Sequence, residues 1–146
     1  MSAETGIFHS EFNRNKDQRV TFLQIWVYPD KKNIKPRYDQ ITLDVADRKN
    51  KLQQIVSPNA DDAGVRIEQN AWFNLGKFDK GVGTDYIFKA KGNGLYAFIL
   101  SGTVTINNQS LNERDGFGIW DTDKVSLMAD TDADILLMEV PMITLS

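Results

Sequence analysis

The chain has 146 residues, 41% of them hydrophobic, with 17 basic against 20 acidic side chains, no cysteine and one histidine. That length suits one globular domain able to bury roughly 68% of its unfolded surface, and the lack of cysteine excludes disulfides, thiolate catalysis, iron–sulfur ligation and any zinc site built on sulfur. A formal charge of −3, with the basic residues dispersed among acidic ones, excludes a broad phosphate-binding surface, so no nucleic acid is expected as a partner.

From the N terminus, the opening segment carries Glu4, His9, Glu11 and Arg14 and has no secretory apolar core. No run reaches the roughly 18 apolar residues of a membrane helix. A cytoplasmic protein without membrane attachment is the expectation. Residues 20–28, VTFLQIWVY, are dominated by β-branched and aromatic side chains and stop at Pro29, which predicts a strand. Alternation puts Phe22, Gln24, Trp26 and Tyr28 on one face and Thr21, Leu23, Ile25 and Val27 on the other, as in a strand lying between two layers.

Residues 30–40, DKKNIKPRYDQ, read as a polar, proline-bearing linker with an extended arm, and 41–45, ITLDV, as a short strand. A short helix is conceivable around residues 47–54, although its apolar periodicity is weak. Further short strands are predicted at 52–56, 65–69, 71–77, 86–89, 95–100, 103–106, 117–120, 125–128 and 135–140. Their separators, PNADDAG, DKGVG, KGNG, NNQS and DTD, are rich in residues that permit positive φ or cap turns. The break at Ser101-Gly102 divides two consecutive antiparallel strands rather than interrupting one long one. This rhythm predicts an all-β sandwich or small barrel of two packed sheets.

His9 and Glu11 are two apart, so an extended backbone points both to one face, where an imidazole nitrogen and a carboxylate oxygen could bind one metal ion. The pair supplies only two ligands. With no second histidine, zinc, iron, manganese or nickel would need carboxylates, amides or water to complete the set. The bland reading packs His9 at the terminus beside a solvated Glu11; a third makes His9 a general base oriented by a carboxylate. No G-x-S-x-G elbow, phosphate loop or helical E-x-x-H pair is present. Trp26, Trp72, Trp120, Phe22 and Phe98 could line a cavity for an aromatic small molecule, with Gln24 or Tyr28 supplying hydrogen bonds, although strand aromatics more often fill a core. Asp121, Asp123, Asp130, Asp132 and Asp134 lack the spacing and terminal glutamate of a calcium loop and read as solvated turns.

Four segments in order, MSAETGIFHSEFN at the start, FLQIWVYPDKKNIKPRYDQ across 22–40, IVSPNA at 55–60 and GTVTINNQSLNERDGFGIWD at 102–121, resemble the downstream part of a pirin-related bicupin. The resemblance implies a cupin, a double-stranded β-helix or jelly-roll-like barrel, over residues 36–146, preceded over 1–35 by remnant strands of an N-terminal cupin. Bacterial relatives include quercetin 2,3-dioxygenases, in which a divalent metal binds a flavonol whose ring dioxygen opens. In such proteins an H-x-H pair upstream and an H-x-E pair downstream hold the metal. The second pair matches His9 and Glu11, with Glu11 a candidate base toward the flavonol hydroxyl; the first has no counterpart in these 146 residues.

Three expectations follow. The chain is a metal-poor cupin with a structural or binding role, self-associated as a homodimer through its N-terminal strands; or it is one half of a split dioxygenase completed by a complementary cupin fragment; or it retains a weak dioxygenase site built from His9, Glu11 and water or a symmetry partner. Cofactor expectations are correspondingly none, or a divalent metal (Fe, Ni, Mn or Zn).

Overall fold

The computed structural model describes residues 8–31 and 33–142. Among these described residues ten strands follow one another in chain order: β1 (Leu52–Ser57), β2 (Val65–Arg66), β3 (Trp72–Phe78), β4 (Gly83–Ile87), β5 (Asn93–Ser101), β6 (Val104–Ile106), β7 (Gln109–Leu111), β8 (Gly116–Ile119), β9 (Lys124–Ala129) and β10 (Ala133–Pro141). They form a six-stranded sheet in the order β2-β1-β3-β10-β5-β8 and a four-stranded sheet in the order β4-β9-β6-β7. All pairings are antiparallel except the short parallel contact of β1 with β2. The jelly-roll-like, all-β cupin expected from the sequence is the fold observed.

The two sheets close on each other because their strands alternate. In β10, Ala133, Ile135, Leu137 and Glu139 are all at least 97% buried on one face. The apolar members meet Ile99 and Leu95 of β5, Tyr86 of β4, and Val125 and Leu127 of β9, and so fill the barrel with side chains. Each fully buried aliphatic residue contributes roughly 1.5–3 kcal/mol relative to exposure. The other face of the six-stranded sheet is also apolar: Phe73, Leu136 and Ala71 form a second buried cluster flanked by the partly buried Ile55, Leu75, Phe98, Leu100, Met138, Val140 and Val27. Since Val27 belongs to the N-terminal arm, the irregular segment of residues 8–31, that arm is what partly covers this outer face.

The strand predicted at 20–28 is not part of either sheet. The alternation survives: Val27 packs on the outer cluster, while Trp26 and Tyr28 stand 80% and 79% exposed on the opposite face. What is missing is a ladder. Among the described residues, no backbone group between 19 and 27 has a hydrogen-bond partner; the arm is tied down only beyond it, where the Gln69 side chain donates to the Tyr28 carbonyl and the Asp30 amide to Glu68. Propensity sets an extended chain, but a strand needs a neighbour to pair with.

Four other expectations are corrected. Residues 41–44 are irregular, and Asp44 caps a single 3-10 turn, Val45–Arg48, by accepting from the Ala46 amide at 2.9 Å. That turn replaces the short helix: Asn50 adopts φ 56 and donates its amide to the Lys77 carbonyl, which turns the chain into β1. The fourth strand lies earlier than predicted, because the Lys89 and Ala90 amides leave the ladder to donate to Glu139. Finally, β5 and β6 belong to different sheets, so Ser101-Gly102 is a corner and not a hairpin. Gly102, at φ 79, is required there because a Cβ would collide with the Asp132 carbonyl. The strand that the sequence hid, β7, pairs with β6 through a two-residue turn in which Asn107 and Asn108 both have positive φ.

Candidate functional site

The His9–Glu11 pair lies on the exposed arm, outside both sheets. The i, i+2 spacing does bring the side chains to one side: His9 Nε2 is 3.9 Å from Glu11 Oε1, with the side chains 39% and 53% exposed. Two donors each about 2.1 Å from one ion in tetrahedral geometry would sit roughly 3.4 Å apart, so a small closure would let both reach a single cation. No third ligand stands with them among the described residues. Among the described residues, no group of three or more His, Cys, Asp or Glu side chains is placed to hold a metal ion. The donors present fit part of a divalent-metal site and not a whole one, and this chain's own geometry defines no catalytic step through a metal.

The aromatic residues do not converge on one cavity. Trp72 is buried in β3, whereas Trp26, Trp120 and Phe22 are 80%, 58% and 62% exposed, and Phe98 packs on the outer face of the six-stranded sheet. Phe22 instead lines a groove of about 390 Å³ between the arm and that outer face, with Leu23 and Ile25 beside it and Phe73, Leu75 and Leu136 opposite. Gln24 and Tyr28 are exposed on the arm. The clustered aspartates are engaged in turns and pairs: Asp130 accepts from Thr105, Asp132 from the Lys80 amide, and Asp134 faces Lys77 at 3.3 Å.

The most elaborate polar arrangement was not anticipated. Glu139 is fully buried at the end of β10, and its carboxylate accepts four hydrogen bonds. Oε2 accepts from the Tyr86 hydroxyl at 2.7 Å and the Lys89 amide at 2.8 Å; Oε1 accepts from the Ala90 amide at 2.9 Å and Asn93 Nδ2 at 2.8 Å. Burial, then the hydrogen bond to this carboxylate, pushes the Tyr86 phenol well above its ordinary range. A buried carboxylate is tolerable only when its lone pairs are satisfied, and here every partner is a donor. The cluster ties β10 of one sheet to β4 of the other and pins the 88–90 segment. With its oxygens already occupied by protein donors, it reads as a clamp and not a reactive group. The sequence did carry a signal for it: Glu139 falls on the inward phase of Ile135, Leu137 and Glu139 in an otherwise apolar strand.

Residues 54–140 match the family described as the quercetinase C-terminal cupin domain. Quercetin 2,3-dioxygenase of Escherichia coli K12 is 33% identical over 141 residues, covering 97% of this chain and 59% of the relative. A pirin-like protein of Caulobacter vibrioides is 31% identical over 140 residues, covering 95% of this chain and 60% of its own length. This chain thus spans about three fifths of the curated relatives it matches. Among solved structures, the E. coli protein YhhW superposes with a TM-score of 0.74 at 27% identity, over 83% of this chain and 50% of that one. YhhW in complex with nickel(II) gives a TM-score of 0.71 at 28% identity, over 79% of this chain and 48% of that one. The jelly-roll barrel and the matched sequence together place this chain in the quercetinase C-terminal cupin domain family, among the pirin-like cupins.

Proposed function

We propose that the chain serves as the C-terminal barrel of a two-barrel cupin assembly, in a structural or binding role and without catalysis of its own. In this reading residues 36–146 are the C-terminal cupin and residues 1–35 are strands belonging with a preceding barrel. The observation that carries it is the arm. Its extended 19–27 backbone has no partner among the described residues, and it bears apolar side chains on both faces, which suits a strand waiting for neighbours. A second copy exchanging arms is the simplest source of those neighbours. A complementary cupin fragment would serve equally in chemistry and would be distinguished by composition.

A second reading rests on His9 and Glu11. Relatives that carry the name quercetin 2,3-dioxygenase, and the nickel(II) complex of YhhW, favour a metal-dependent dioxygenase of which this chain forms one part. His9 would supply a nitrogen and Glu11 an oxygen to a divalent metal, and ligands from another segment or polypeptide would close the site. When bound, the metal would supply Lewis acidity toward a flavonol hydroxyl; this chain's contribution is to hold two donors and to leave a carboxylate near that proton.

Native mass by light scattering, together with elemental metal analysis of untagged protein purified without chelator and then exposed to iron, nickel or manganese, separates these readings. A dimer at micromolar concentration with no stoichiometric metal is the outcome expected of the structural barrel. A concentration-independent monomer would remove the self-association. One tightly held metal per chain or per dimer, lost in Glu11→Ala, would instead establish the dioxygenase-like site.

A further inference from the structure

We infer that Asn93-Gly94 is a site of spontaneous deamidation that the Glu139 cluster holds closed, and that modification there makes an opening of this end of the barrel irreversible. It is the one Asn-Gly pair in the 146 residues. A glycine after asparagine lets the backbone nitrogen reach the carboxamide carbon, because no Cβ stands in the way and the backbone turns freely. The Gly94 nitrogen attacks Asn93 Cγ, the bond from Cγ to the carboxamide nitrogen breaks, and that nitrogen leaves as ammonia with the Gly94 amide proton. Water then opens the resulting cyclic imide at either carbonyl, leaving aspartate or isoaspartate.

The fold blocks the first step twice. Asn93 and Gly94 open β5 opposite Pro141 and Val140 of β10, so the backbone is extended, with the Gly94 amide in the plane of the sheet and the Asn93 side chain turned out of it. The carboxamide is also buried and held away from its own backbone: Nδ2 donates to Glu139 Oε1 at 2.8 Å and to the Asn70 carbonyl at 3.4 Å. Attack needs those bonds broken and the start of β5 peeled from its ladder, which is a local opening. Afterwards position 93 carries a carboxylate. Glu139 Oε1 has then lost a donor and faces a second negative charge, and the isoaspartate form inserts an extra methylene into the backbone, out of register with β10. A chain modified while open cannot rebuild the cluster.

The test incubates the full chain at mildly alkaline pH, folded and in guanidinium chloride, and follows deamidation at residue 93 by peptide mass mapping. The folded chain should modify at least about a hundredfold more slowly than the unfolded one, because only its open fraction reacts. Tyr86→Phe, which loosens the cluster, should raise the folded-state rate about tenfold and leave the unfolded-state rate unchanged. Gly64→Ala, a strain placed instead in the turn before β2, should leave the folded-state rate at its wild-type value. Asn93→Asp, the product with a normal backbone, should unfold at a lower urea concentration than the wild type or fail to refold. Equal rates in the folded and unfolded chain, equal acceleration by Gly64→Ala and Tyr86→Phe, or a wild-type urea midpoint for Asn93→Asp would each overturn the inference.

Discussion

Replacing Glu139 by glutamine tests whether the buried carboxylate is the clamp between the sheets. The substitution preserves shape and removes the charge, but an amide has a single oxygen, whereas Oε1 and Oε2 each accept two donors. In either amide orientation, two donors face an NH2 group and lose their acceptor. Hydrogen bonds to a charged group are worth about 1.5–3 kcal/mol each. The reduced cost of burying a neutral side chain offsets part of the loss, so a net destabilisation of about 3–5 kcal/mol is expected. That is a large share of the 5–15 kcal/mol typical of a domain. Tyr86→Phe removes one donor and leaves Oε2 bonded to Lys89, so it should cost only about 1–2 kcal/mol. Urea unfolding of the wild type, both single variants and the double variant gives the coupling directly. Were Glu139→Gln within about 0.5 kcal/mol of wild type, or the two changes strictly additive, the clamp would be wrong.

The remaining expectations use the same assay or direct titration. Burial and the Glu139 hydrogen bond raise the Tyr86 phenol above its ordinary value of 10.0, so the folded state holds this proton when the unfolded state has released it. Its contribution is complete below pH 10 and falls as the pH rises beyond it, by up to about 1.4 kcal/mol per pH unit; Tyr86→Phe should flatten that alkaline decline. The Asp85 carboxyl is held below its usual range by the Ser126 hydroxyl, then by Lys124, so its folded-state titration followed by NMR should lie below 3.8, and its contribution is lost as the pH falls through that lower value. Gly64, at φ 100, leaves no room for a Cβ against the Ile55 backbone, and Gly64→Ala should lower the unfolding free energy by about 1–3 kcal/mol, read as an earlier urea midpoint. Leu137→Ala, at a fully buried barrel position, should cost about 2–5 kcal/mol, whereas His9→Ala on the exposed arm should leave the unfolding curve unchanged.

The barrel was legible because its strands obey a simple period. Residues 95–100 and 135–140 became the paired centre of the six-stranded sheet, with Ile99 opposite Ile135 and Ala97 opposite Leu137. The boundaries that slipped did so for reasons no propensity contains. The fourth strand was displaced by a carboxylate about 50 residues away in sequence that captured its last amides. The segment 103–106 pairs with β9, not with the preceding strand, because Gly102 turns the chain from one sheet into the other. Segment 20–28, the strongest strand former in the sequence, makes no ladder at all. Hydrogen bonding in a sheet is a property of pairs of segments, and a single segment's composition reports only its readiness to pair.

The site was legible in a different measure. His9 and Glu11 meet as their spacing implied, because alternation of an extended chain is local. Completeness of a metal site is not local, since it depends on which other elements bring donors to the same point. By the same reasoning Glu139 escaped notice: only after β10 crosses from Trp72 to Leu95 and Tyr86 arrives from the opposite sheet does a lone charge in an apolar strand acquire four donors. The contrast separates the two acidic residues physically. Glu11 is half exposed, beside one imidazole and able to exchange partners, as a ligand must; Glu139 is sealed and saturated, so any cation entering there would first have to displace hydrogen bonds that hold the two sheets together. Of the two carboxylates, Glu11 is therefore the one left open to solvent and to a further partner, and Glu139 belongs to the packing that joins the two sheets.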